Sequence, residues 1–267
     1  TGGTLNNAST FTATPAMNAT LSMYGGGGTN AFNNLAGGSF VLSGPGTVRT
    51  FTSSTAVSFN NAGGVSLQNG TLSIGSGGTS TAPLTVNSGG TLIFATDYSF
   101  GPSSSISGAG TVQFTGGTQS FPAGQFKPTG TVNFTGGSVT VNDSFTPAAL
   151  GPVGATVTLN ADQTFPGLTL SSGAIQGSGN VTVTGPFDWM GGTMAGAGKT
   201  TVAATGSLTL DTTTHSLNRE LDVNGPATWT AGDIALTGGT LNNASTFTAA
   251  PAMGSTFSMY GGGGTDA

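Results

Sequence analysis

The chain has 267 residues, of which only 5% are charged and 48 are glycine, and nine acids against four bases give a net charge of −5. So few bases exclude nucleic-acid binding, which needs a basic face for phosphate, and the scarcity of Lys and Glu leaves little material for exposed helices. Cysteine is absent, which removes disulfides and thiolate metal sites, and no stretch approaches the roughly twenty apolar residues of a membrane span. Gly-, Ser- and Thr-rich chains are often disordered, yet here Val, Leu, Ile and Phe recur at regular spacing throughout, and a β protein is the natural reading.

Short alternating runs follow one another along the chain. GTVRTF (46–51), AVSF (56–59), GTLSI (70–74), PLTV (83–86) and GTLIF (90–94) are predicted strands in the first third. GTVQF (110–114), GTVNF (130–134), ATVTL (155–159), NVTV (180–183) and GSLTL (206–210) continue the series. In GTVNF, Val132 and Phe134 fall on one face while Thr131 and Asn133 fall on the other, the period of a sheet buried on one side. Glycines punctuate almost every run and no window offers ten residues of capped helical periodicity, so essentially no helix is expected.

Three periods organise these strands. Residues 1–31 return as residues 237–267 with five substitutions (Thr14/Ala250, Asn18/Gly254, Ala19/Ser255, Leu21/Phe257, Asn30/Asp266), an offset of 236. The expected organisation is therefore one full unit, 1–236, followed by the start of the next, 237–267, in one continuous solenoid cut from something longer, with any export signal outside it. GTVQFTGG (110–117) returns as GTVNFTGG (130–137), a step of 20. An apolar residue and a double Asn recur as Leu5-Asn6-Asn7, Phe32-Asn33-Asn34 and Phe59-Asn60-Asn61, steps of 27, and again as Leu241-Asn242-Asn243.

Steps of about 20–27 residues fit one turn of a parallel β-helix (β-solenoid), whereas a sandwich domain needs longer strands and about a hundred residues. Coils about 4.8 Å apart would place Val112 on Val132 and Phe114 on Phe134, and nine to twelve coils per unit give a rise of roughly 45–57 Å. Asn6, Asn7, Asn33, Asn34, Asn60, Asn61, Asn242 and Asn243 are predicted to form a structural ladder, since a side-chain amide both donates and accepts. The rival use of Asn7, Asn18, Asn133 and Asn180 as glycosylation acceptors rests on a tripeptide that arises by chance in an Asn- and Thr-rich chain.

Signals for chemistry are weak. GTMAGAGKT (192–200) resembles a phosphate-binding loop, but Thr193 stands where its first Gly is required and strand residues follow in place of a helix. It belongs instead to a recurring corner, seen at Gly44-Pro45-Gly46, Gly108-Ala109-Gly110, Gly177-Ser178-Gly179 and Gly196-Ala197-Gly198. His215, the one histidine, reads as a surface residue, and Arg219, Glu220 and Asp222 beside it read as a local ion pair on the outer wall or a lateral contact. Asp97, Asp143, Asp162, Asp188 and Asp233 are scattered off the coil period, against the clustered carboxylates of a pectin-lyase-like enzyme. Thr-x-Thr, which an ice-binding face would repeat in every coil, occurs irregularly, and Trp189 and Trp229 suit a core as well as a polysaccharide site.

SGAGTVQFTGG (107–117), MAGAGKTTVAATGSLTL (194–210) and LDVNGPATWTAGDIALTGGTLNNASTF (221–247) resemble the β-solenoid repeats of giant bacterial surface proteins, the filamentous-haemagglutinin-like and autotransporter-passenger-like adhesins. That resemblance implies secretion and an extracellular or cell-surface fibre serving adhesion or matrix building, with no catalytic residues and no cofactor to carry over. The expected role is a structural segment of a tandem-repeat fibre or stalk, not an enzyme. Its expected partners are neighbouring units joined end to end, with lateral fibre contacts or glycans besides. A polysaccharide-binding or lyase-type β-helix and an ice-binding solenoid are the alternatives.

Overall fold

The computed structural model describes residues 2–50, 56–251 and 256–261. These form two compact units, Thr1–Val139 and Thr140–Ala267. Both are parallel β-solenoids, and no helix occurs among the described residues.

In the first unit the double-Asn strands pair in register: Thr4–Asn7 lies under Asn30–Asn34, which lies under Val57–Asn61. A second column begins at Thr10–Ala13 with Thr10 beside Ser39, and a third at Thr20–Met23 with Thr20 beside Thr47. Alternation of side chains turns every second residue inward. Val48, Leu72, Leu92 and Val112 therefore follow one another up the interior, each at most 1% exposed. Aromatic rings stack in the same way, with Phe94, Phe114 and Phe134 at centroid separations of 5.5 and 5.4 Å and near-parallel planes. Phe32 on Phe59 and Phe11 on Phe40 repeat the arrangement lower down. Such offset pairs add stabilisation beyond that of the area they bury.

In the second unit three short strands per coil build three faces. Gln163–Phe165, Val181–Val183, Thr200–Val202, Glu220–Val223 and Thr240–Asn243 form one. Leu168–Leu170, Pro186–Trp189, Ser207–Leu210, Ala227–Trp229 and Phe247–Ala249 form the next. His215–Asn218, Ile234–Leu236 and Met259–Gly261 close the third. Leu170, Trp189, Leu210 and Trp229 stack in one inward column.

Coil length varies more than the sequence periods imply. Thr10 pairs with Ser39, a step of 29, whereas Val157 pairs with Ile175, a step of 18. The difference is taken up at the corners, because only the strand residues are held to the repeat. Double glycines also bend strands without ending them. PLTV and GTLIF join into Pro83–Phe94 with a register shift between Val86 and Gly89, and Gly117, at φ +73°, lies inside Thr111–Phe121.

Candidate functional site

The double asparagines of the first unit form two side-chain columns. In the inner one, Asn7 Nδ2 donates to Asn34 Oδ1 and Asn34 Nδ2 to Asn61 Oδ1, both at 2.8 Å, and Asn61 Nδ2 donates to Ser80 Oγ at 3.0 Å. The second N–H of each amide reaches a corner carbonyl of the following coil: Ser39, Gly64 and Ala82 in turn. The three asparagines are buried, and the column also satisfies partly buried backbone carbonyls. The outer column runs the opposite way, with Asn33 Nδ2 donating back to Asn6 Oδ1 at 2.8 Å and Asn60 Nδ2 to Asn33 Oδ1 at 2.9 Å. Asn242 and Asn243 lie elsewhere. They pair with Asp222 and Val223, so Asn242 donates to the Asp222 carboxylate at 2.9 Å and Asn243 to the Ser245 carbonyl.

Buried glutamines do related work that the sequence periods do not reveal. Gln119 Nε2 donates to the Thr96 and Gly116 carbonyls, and Gln163 Nε2 to those of Asp143 and Ala161. Gln119 lies within the strand Thr111–Phe121, just past its Gly116-Gly117 bend, and Gln163 opens the strand Gln163–Phe165.

The charged cluster is placed differently from the expected outer-wall group. His215 is fully buried, not a surface residue. Its Nε2 lies 2.7 Å from the Trp189 carbonyl oxygen and its Nδ1 3.1 Å from that of Asp233, and its ring meets Trp189 edge-on. Gly192, its register partner, presents no side chain above it. Arg219 is also interior, at 3% exposure. It does not pair with Glu220 or Asp222. Its Nη2 donates to the Gly179 carbonyl forty residues upstream at 2.9 Å, passing Gly198, where a β-carbon would collide with the guanidinium. Nε and Nη1 make no hydrogen bond, and burial pushes the guanidinium pKa down to about 10.

An ion pair does lie on the wall, Lys199 Nζ to Asp222 Oδ2, 2.8 Å apart. Hydrogen bonding to Asp222 raises the Lys199 pKa, and the same bond holds the Asp222 carboxyl below its ordinary value. Sequence reasoning missed both burials because an isolated polar residue between strands carries no periodic signal.

Other candidate sites are occupied by structure. The GTMAGAGKT segment consists of the strand Gly192–Ala195, a corner and the strand Thr200–Val202, with no helix to aim amides at phosphate. Gly198 is buried there, and a β-carbon on it would overlap the Gly179 carbonyl. Trp189 and Trp229 both point inward, and Trp229 Nε1 donates to the Gly232 carbonyl at 2.7 Å. Neither ring is open to a ligand. Among the described residues no three His, Asp or Glu side chains converge as a metal site.

Outward threonines do align as Thr20, Thr47, Thr71, Thr91 and Thr111, but the column beside them reads Ser22, Arg49, Ser73, Ile93 and Gln113. That face is mixed in chemistry. Of the glycosylation candidates, Asn7 is buried in its ladder, while Asn18 is exposed at φ +64°.

Beside the opening coil a hollow of about 520 Å³ is lined by Leu5, Phe11, Leu21, Met23 and Phe32 among others. No family model matches the chain, and no curated protein or solved structure matches it either.

Proposed function

We propose that this chain is a structural segment of a long tandem-repeat bacterial fibre or stalk, extracellular or at the cell surface, which supplies mechanical reach, adhesion or a matrix scaffold and performs no catalysis. One observation carries the reading. The segment that restarts the 236-residue repeat is seated strand on strand upon the coil before it, Leu241 on Leu221 and Thr248 on Thr228, so a further repeat lengthens the same ladder without a new fold. The interior supports it, because the buried apolar residues among those described fill stacked columns. Electron micrographs of the native material test it. The expected result is thin filaments with an axial period of roughly 45–57 Å per repeat unit at the strand spacing. Compact particles without axial periodicity would overturn it.

A further inference from the structure

We propose that Asn69-Gly70 is a self-modification site, where the fold holds the Gly70 amide nitrogen against the Asn69 side chain and the asparagine converts spontaneously to an acid on the outer wall. The inference goes beyond the fibre reading and does not depend on it.

The strand Gly64–Ile74 requires a glycine at position 70. Gly70 takes φ +79°, in the left-handed region, and a β-carbon there would collide with the carbonyl oxygens of Gly44 and Gly46 in the preceding coil. The residue before it is exposed, and its side-chain oxygen accepts the Gly70 N–H at 2.9 Å. The sequence holds one further Asn-Gly pair, Asn224-Gly225, which serves as a control inside the same molecule. Asn224 is exposed too, but its side chain makes no hydrogen bond among the described residues.

At Asn69 the contact that caps the bend also assembles a reaction. Cγ is one covalent bond beyond Oδ1, so the Gly70 nitrogen stands close to the separation of about 3–3.5 Å from which a nucleophile attacks. Buffer base or hydroxide removes the Gly70 N–H proton and the nitrogen bonds to Cγ, closing a five-membered imide. The side-chain nitrogen takes up a proton and leaves as ammonia. Water then opens the ring. Addition at Cγ breaks the new bond and leaves an α-linked aspartate, whereas addition at the main-chain carbonyl carbon breaks the original peptide bond and carries the chain through the β-carbon. Water and base are the only co-reactants.

Each event exchanges a neutral amide for a carboxylate in a chain whose net charge is already −5. The new charge lies between Gln68 and Gly70 and beside its register partner Gly89, none of them charged. The α-linked product keeps an oxygen able to accept the Gly70 N–H, so the bend retains its cap.

Heavy-oxygen water tests this. The full chain is held native in mildly alkaline buffer made with it, then digested in ordinary water, and its peptides are weighed; each conversion fixes one heavy oxygen, whichever product forms. The expected result is conversion several-fold faster at Asn69 than at Asn224, with that advantage lost when the chain is kept in denaturant. Asn69→Ser retains an oxygen acceptor but removes the carbon that is attacked, and should abolish incorporation in its peptide.

Conversion at Asn69 no faster than at Asn224 in the native chain would overturn the proposal. So would incorporation that survives Asn69→Ser, or an Asn69 advantage that persists in denaturant, which would trace it to local sequence and not to the fold.

Discussion

Asn34 and Asn33 are neighbours in one strand and face opposite environments, which separates their contributions. Removing the inner amide by Asn34→Ala strands a donor on Asn7 and an acceptor on Asn61 in a buried column. The expected loss is about 1–3 kcal/mol for each group left without a partner, against under about 1 kcal/mol for Asn33→Ala, whose partners reach water. Denaturant unfolding of the two variants measures the gap, and equal effects would show that burial does not set the ladder's strength. Asp222 gives a pH dependence of defined sign. Its folded carboxyl titrates below the ordinary 3.8, so the stabilisation is present above that value and is lost as pH falls through the depressed one. Asp222→Asn is expected to lower the neutral plateau slightly and leave stability below the depressed value nearly unchanged, so that the acid limb flattens; a steeper acid limb would contradict the assignment.

At the scale of the strand and corner, the sequence was most readable where chemistry repeats. The GTVQF and GTVNF runs place Phe114 and Phe134 one coil apart, and their rings do stack, 5.4 Å apart and tilted by 9°. The Asn-Asn steps of 27 likewise coincide with the register of three successive strands. Residues 242 and 243 shared the signature but not the environment, because the coil beneath them reads ELDV and offers a carboxylate where an amide was expected. His215 and Arg219 were illegible for another reason: each interrupts the apolar pattern once, so nothing in its spacing tells inside from outside.

The Gly-x-Gly corners were legible in position, though not in the division of labour between their two glycines. Gly108, Gly177 and Gly196 take left-handed φ values of +110°, +112° and +94°, while Gly110, Gly179 and Gly198 lie against carbonyls of the preceding coil. Gly198→Ala should accordingly cost several kcal/mol, by overlap with both the Gly179 carbonyl and Arg219, whereas Gly64→Ala, with nothing near its added methyl, should stay within about 1 kcal/mol. Thermal unfolding of the pair decides it, and a tolerated Gly198→Ala would mean that the corner opens easily.

For the molecule as a whole, resistance to proteolysis follows from where its four basic residues lie. Arg219 is buried, Lys127 precedes Pro128, Lys199 is engaged by Asp222 and Arg49 sits within the paired strand Thr47–Thr50. A protease needs a segment drawn clear of its neighbours; the strands at Arg49, Lys199 and Arg219 are paired on both sides, and that of Lys127 is paired with Ile106–Gly108. The native chain should survive a trypsin exposure that fully digests it after heating, read on a denaturing gel. Rapid fragmentation of unheated material would contradict the stacked arrangement.

The opposed directions of the two asparagine columns bear on how long such a molecule can become. Amides aligned one way would sum their dipoles rung by rung, as peptide units do along a helix, and a fibre of many repeats would grow an ever larger electrical polarity. Here Asn7, Asn34 and Asn61 point their N–H groups towards later coils while Asn33 and Asn60 point theirs towards earlier ones, so the moments of the two columns oppose one another. Multiplying the repeat would therefore add cohesion to its ladders with less growth of polarity than columns aligned one way.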